Sequence, residues 1–353
     1  MKKLLALLLI VAMVFTFAAC GGGSSEEPAE ESTDEAQDET VYKIKWAHAA
    51  APTFYEAIAI DEIKDEIEEA SGGRLVIEHY PSGQLGDEAE CFEGCQMGTI
   101  EMTTISTGSL SGYYAPILAI CTPFAMTKEE GRQLLDGSVG DWLKEEIENA
   151  TGVKCLGWAE NGVRNFTSAK KQIIHPSDLK GMRIRTQSNF VTIDMVEACG
   201  GNATPIAFNE LYTALQQGAV DGQENPIAHI YSQKFYEVQD YVTIDEHMYD
   251  ALAVFINPAF YDSLPEDLQQ ILDEYAGVKY VQREREIADE QYEEQVKEIE
   301  ESGTTVYVLT NEERQEWIDA TASVVDEVRK ECGDEIVDKI FDGVKAIQDG
   351  TYN

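Results

Sequence analysis

The chain has 353 residues and carries 66 acidic against 26 basic side chains, a formal charge of −40. A field of that sign repels nucleic acid and anionic lipid surfaces, which excludes both as docking partners. A small anionic ligand is not excluded, because screening confines the repulsion to about 8 Å in physiological salt and a few placed arginines reverse the sign locally.

Lys2 and Lys3 precede the apolar run LLALLLIVAMVFTFAA, and Cys20 follows two alanines. A charged start, a short apolar stretch and small residues before a break read as a secretory signal. The run falls short of the roughly 20 residues that span a bilayer comfortably. Cysteine after FAA resembles a bacterial lipobox, with Phe17 where leucine is usual. Residues 1–20 are therefore expected to be a lipoprotein signal peptide, with Cys20 as the lipidation site. A retained membrane anchor with an incidental cysteine is the alternative, and both place the rest outside the cytoplasm. Residues 21–40 hold eight acidic residues, no Lys or Arg and no large apolar side chain. Such a segment cannot bury enough apolar surface to offset its ordering entropy, and it reads as an acidic flexible tether.

From Val41 the chain is long enough for two domains. Alternation in VYKIKWAH predicts a strand, PTFYEAIAIDEIKDEIEEASGG an amphipathic helix stopped by Gly72 and Gly73, RLVIEHY a second strand and DEAECFEGCQMG a second helix. TIEMTTIS reads as a strand, EEGRQLLDGSVGDWLKEEIENATG as helix with a glycine break, and VKCLGWAE as a strand. A second block follows, with strands at MRIRT, NATPIAF and VDGQEN and helices at NFVTIDMVEACG and NELYTALQQG. Helical spacing then runs from Pro265 to about Glu301, either as one helix bracing two lobes or as two helices broken at Gly277. TVYVL and a helix opened by a capping box at Thr310 and Glu313 close the pattern. Strands alternating with helices indicate an α/β fold with largely parallel sheets.

Outside the cytoplasm the six further cysteines, Cys91, Cys95, Cys121, Cys155, Cys199 and Cys332, permit disulfides. Cys91 and Cys95 are four apart, awkward for a disulfide and incomplete for zinc, so buried free thiols are expected and no metal site. Enzyme signatures fail as well: GSLSG centres on leucine, and HExxH, a P-loop and GxGxxG are missing from the chain. No cofactor and no catalysis are expected. Polar residues do collect at strand ends. ENGVRNFT places Arg164 after the strand containing Trp158, and KGMRIRTQ sets Arg183 and Arg185 on one face of a short strand. An arginine near the core of so acidic a chain needs a partner or a ligand. Arg185 falls at a carboxyl strand end, where open α/β sheets bind ligands, and its planar fork suits a carboxylate.

LKGMRIRT, TPIAFNELYTALQQGAVDGQENP and QKFYEVQDY resemble the solute-binding subunits of tripartite ATP-independent periplasmic (TRAP) transporters, dicarboxylate-binding type. YPSGQLGDEAE, GTIEM and LPEDLQQIL fit in order and spacing, and the resemblance runs from about Lys43 past Leu272. It implies a two-lobe periplasmic-binding-protein-like fold with a cleft between the lobes and a long helix crossing both. The lobes would be 41–162 plus 251–290 and 163–250 plus 291–353. The implied role is capture of an organic acid by lobe closure and delivery to the permease subunits of an ion-gradient-driven transporter. A tethered sensor that presents the acid to a signalling receptor is the rival. Arg185 matches the carboxylate clamp, Arg164 a second arginine, Asn225 the amide completing the carboxylate contacts, and Phe208 an aromatic packing on the ligand. Glu224 and His247 match partners of the hinge-side arginine. Ser106, Trp158, His48 and Tyr212 are further cleft-lining candidates. Ala89 stands where many members carry arginine.

Overall fold

The computed structural model describes residues 40–352, so the expected signal peptide, Cys20 and all of the acidic tether but Thr40 lie outside the described residues. Alternating burial makes Tyr42–Ala47 (β1) a strand, with Ile44 and Trp46 fully buried. The following helix, Tyr55–Ala70, sets Ile60, Ile63 and Ile67 inward at helical spacing. Past its end Gly72 and Gly73 take positive φ, which costs glycine nothing. The remaining strands are Leu75–Tyr80 (β2), Met102–Ser106 (β3), Lys154–Ser168 (β4), Arg183–Thr186 (β5), Asn202–Pro205 (β6), Gly222–Pro226 (β7), Tyr241–Ile256 (β8) and Thr305–Val308 (β9). They form one nine-stranded sheet in the order β2-β1-β3-β8-β4-β7-β5-β6, with β9 also paired to β8.

The sheet is mixed, not largely parallel. β1 pairs with β2 and β3 in parallel, as do β5 with β6 and β7, and β8 with β9. At its centre β4 and β8 run antiparallel from Lys154↔Ile256 to Ser168↔Tyr241. These long strands are shared by two lobes, and each lobe adds its own shorter strands on one side. β4 does not stop at Glu160 as its sequence pattern predicts. It continues through Asn161–Ser168 with register shifts between Glu160 and Gly162 and between Arg164 and Phe166. At the second shift Asn165 takes over the lost ladder bonds: its Oδ1 accepts from the backbone N–H groups of Asp245 and Glu246, at 3.1 and 3.0 Å.

The segment 266–301 is one continuous helical path. Glu266–Glu274 passes through a π-helical turn at Tyr275–Lys279 into Tyr280–Glu301, so Gly277 bends the hydrogen-bond ladder without breaking it. Gly277 and Gly157 of β4 sit backbone to backbone; a Cβ on Gly157 would lie 2.5 Å from the Gly277 carbonyl oxygen. Two helices beyond the expected elements close the chain. Ala322–Cys332 packs on both Phe190–Ala198 and the short 3-10 turn Ala115–Ala119, and Asp334–Gln348 packs on Lys128–Asp136. All six cysteines of the core are buried free thiols. Among the described residues no helix is long and apolar enough to cross a membrane.

Candidate functional site

The carboxyl ends of β3, β5 and β7 bring Ser106, Arg185 and Asn225 to the wall of a cavity of about 400 Å³, which Arg164 and Phe208 also line. Glu56, Glu88, Asn161, Gln187 and His229 complete much of the polar wall, and none of them was singled out from the sequence.

Arg185 is 3% exposed, and its Nε donates to the Ile206 carbonyl at 2.9 Å. Its Nη1 is buried without a hydrogen-bond partner among the described residues. Burial pulls its pKa down to about 10, against the pull of Glu224 and Glu88, so the guanidinium remains charged at neutral pH. An unpaired buried cation is costly, and a bound carboxylate would relieve that cost.

Arg164 is in the opposite condition. Its Nη1 donates to Asp250 at 2.9 Å, its Nη2 to the side chain and backbone oxygens of Glu224 at 2.9 and 2.8 Å, and its Nε to the other Glu224 carboxylate oxygen. Asn225 Oδ1 accepts a further bond from Arg164 at 3.3 Å, while Asn225 Nδ2 donates to Gln223. Behind Glu224, His247 contacts Asp245 at 2.8 Å and Glu224 at 3.4 Å. Burial opposes the charge on His247, but Asp245 and Glu224 outweigh it and raise the pKa to about 9. Burial likewise opposes the Glu224 charge, but Arg164 and His247 hold its pKa down at about 2. Glu224 and His247 therefore stand behind the cavity wall and fix Arg164.

Phe208 sits edge-on to the ring of His229, centroids 4.8 Å apart, and His229 stacks on Phe54 at 3.9 Å. Three expected lining residues lie elsewhere. The Trp158 indole donates to the Gly140 carbonyl at 3.1 Å in the apolar core, because its face of β4 points away from the cleft. Tyr212 turns outward to Glu237, with 3.2 Å between hydroxyl and carboxylate. His48 is buried behind the wall: its Nδ1 accepts from the Ala50 N–H at 3.2 Å, and its Nε2 is 2.7 Å from His79 Nε2. Arg183, on the same strand as Arg185, is spent on Asp221 at 2.8 Å.

Two carboxyl groups were missed. Glu88 accepts from the Ser106 N–H at 2.7 Å, Ser109 Oγ at 2.5 Å and Ser106 Oγ at 3.2 Å. Glu56 is 2% exposed and its Oε1 has no partner among the described residues. Burial, reinforced by Glu88 and opposed by a hydrogen bond with Thr104, pushes its pKa well above the usual carboxylate range. Its signal in sequence is a glutamate on the buried face of an otherwise apolar helix turn, FYEAIAI.

Two lobes on a shared central sheet, closing a polar cavity around an unpaired buried arginine, define a solute-binding receptor. The chain matches the family model described as bacterial extracellular solute-binding protein, family 7, over residues 46–331, and it belongs to that family. It is 34% identical over 294 residues to a solute-binding protein of Verminephrobacter eiseniae, covering 83% of this chain and 86% of the relative. It is 30% identical to the C4-dicarboxylate-binding protein DctB of Bacillus subtilis, covering 87% of each. Its fold is similar to the sugar acid binding protein DctPAm of Advenella mimigardefordensis in complex with galactonate, with TM-score 0.84, 27% identity and 87% and 98% of the two chains covered. The family is one of receptors, not enzymes.

Proposed function

We propose that this protein captures an organic acid by closure of its two lobes and hands the acid, unchanged, to the membrane permease of a TRAP transporter. A lipid on Cys20 would hold it to the outer face of the cell membrane, with residues 21–40 as the tether. The observation that carries the reading is Arg185, a buried cation with Nη1 unpartnered in the wall of a cavity of about 400 Å³. Phe208 excludes water beside it, and the Arg164–Glu224–His247 network holds the hinge side rigid. Trp158 and Tyr212 have no part in ligand contact. Related proteins support the ligand class: one structure holds galactonate and another, from Sulfurospirillum deleyianum, holds succinate. The permease is the destination because the structural relatives include TRAP periplasmic solute-binding proteins.

The test is calorimetric titration of ligand-free protein with a panel of organic acids, repeated with Arg185→Ala. Charged hydrogen bonds contribute about 1.5–3 kcal/mol each, so a clamp making two of them should weaken binding by roughly 100-fold or more when removed. Equal affinity in Arg185→Ala would remove the clamp, and release of a chemically altered acid would make the protein an enzyme.

A further inference from the structure

The cavity offers positive charge for one carboxylate and neutral hydrogen-bonding groups for the remainder of the solute. Of its two lining arginines, Arg164 is already compensated by Glu224 and Asp250, which leaves Arg185 alone uncommitted. The acidic side chains Glu56, Asp87, Glu88 and Glu93 also line the space. A second carboxylate would enter with no cation free to meet it among the described residues.

His229 narrows the chemistry further, because its tautomer is fixed by its neighbours. Asn161 Nδ2 donates to Asp250 at 2.7 Å, so Asn161 Oδ1 is the atom that faces His229 Nε2 at 2.9 Å. Nε2 therefore carries the hydrogen, and Nδ1 presents a bare lone pair. That Nδ1 is buried without a partner among the described residues. Burial and the nearby Arg164 keep the ring neutral. What Nδ1 lacks is a donor. On the same wall Glu56 Oε1 also lacks a partner among the described residues, and it can accept from a hydroxyl.

We propose that the solute is a hydroxylated monocarboxylate: its carboxylate lies on Arg185 and its hydroxyl groups bond to His229 Nδ1 and to Glu56. This rests on the reading of the cavity as a carboxylate site. An ionised, unsubstituted dicarboxylate brings only acceptors to His229 Nδ1. An unsubstituted fatty acid leaves both orphaned groups unpaired, each costing about 1–3 kcal/mol.

The experiment is calorimetric titration of protein unfolded and refolded to strip any carried solute. The probes are the four- to six-carbon members of four series: polyhydroxy monocarboxylates, unsubstituted monocarboxylates, α,ω-dicarboxylates and amino acids. A site built around hydrogen bonds to hydroxyls rejects analogues lacking them steeply, so a polyhydroxy acid is expected to bind on the order of 100-fold tighter than any other acid of its length. A dicarboxylate or amino acid that binds as tightly overturns the proposal and leaves the acid-receptor reading standing. Failure of every acid in all four series overturns the receptor reading beneath it. His229→Phe keeps a ring against Phe54 and removes the acceptor. It should lower affinity for the polyhydroxy acid about tenfold, as expected for one hydrogen bond, and leave the unsubstituted acid unchanged. Unchanged affinity for both acids overturns the assignment of His229. If that variant does not fold, the four series decide the question on the native protein.

Discussion

At the scale of single residues the cavity divides its two arginines between different tasks, and the division is physical. Arg185 has a spare donor and so can act on a ligand; Arg164 has its charge met by Glu224 and Asp250 and so acts on the fold. Glu224→Ala would leave Arg164 and His247 charged and buried together with less opposing charge. Breaking a buried pair this way costs about 3–5 kcal/mol, which should appear as a lower melting temperature of the ligand-free protein. The same network sets a pH window. Glu224 has its pKa lowered from 4.5 to about 2, so its stabilisation is complete above 4.5 and is lost as pH falls toward 2. His247 has its pKa raised from 6.5 to about 9, so its stabilisation is complete below 6.5 and is lost as pH rises through 9. Melting temperature should therefore peak between 4.5 and 6.5 as far as this pair decides it, and His247→Gln should flatten the alkaline limb. Sequence carried Arg185 and Asn225 because each stands at a strand end inside a polar run. It could not show that Asn225 spends its amide on Gln223 and Arg164, since that choice depends on packing across two strands. Glu56 and His229 were legible in principle, as polar residues flanked by apolar ones in FYEAIAI and PIAHIY.

At the scale of elements the short strands and amphipathic helices could be read from periodicity, while the two longest strands could not. ENGVRN looks like a turn after a strand, because Asn and Gly are turn residues. In the fold the same residues form the irregular stretch of β4, where the register slips twice and Arg164 is aimed at the cavity. The partner strand β8 is one residue longer, and its polar TIDEHMYD segment hides the strand because Asp245, His247 and Asp250 are buried in ion networks, not exposed in alternation. Whether the helix broke at Gly277 was also beyond the sequence, since the answer lies in what Gly277 touches. That contact makes a prediction. A methyl on Gly157 would meet a backbone carbonyl at 2.5 Å, which cannot swing aside as a side chain can. Gly157→Ala should push the long helix off β4 and lower stability by about 1–3 kcal/mol. Gly112, where an added methyl meets nothing nearer than 3.8 Å, should accept alanine with little change. Chemical denaturation of the two variants side by side checks both statements, and equal stability would mean the helix shifts freely.

At the scale of the whole molecule, capture requires that the lobes close on what they hold. The shared strands β4 and β8 are the natural hinge, with register slips beside the cavity and Gly162 at φ 108° on one strand and Glu246 at φ 49° on the other. Across the cleft mouth the lobes touch directly: Gln187 Nε2 donates to Ser106 Oγ at 3.2 Å, and Asn189 Nδ2 to the Gly108 carbonyl at 3.4 Å. These bonds exist only while the lobes are together. A ligand bridging Arg185 on one lobe and Glu56 on the other favours that state by its differential affinity, and by no more than that. Gly108 is a tight point of that contact, since a Cβ there would come within 2.2 Å of the Gln187 side chain. Gln187 can yield to a methyl group, so the informative substitution is a bulkier one. Gly108→Leu should wedge the mouth, leaving the melting temperature of the ligand-free protein near that of the native chain while weakening ligand binding about tenfold or more, the loss expected if contacts from one lobe are forfeited. Small-angle scattering reads the same event as shape. The native protein should contract when its acid is added, and the Gly108→Leu protein, saturated with the same acid, should contract less. A wedge variant that contracts fully and binds as the native protein does would show that closure does not bring Gly108 against Gln187, and the hinge would then have to be sought away from β4 and β8.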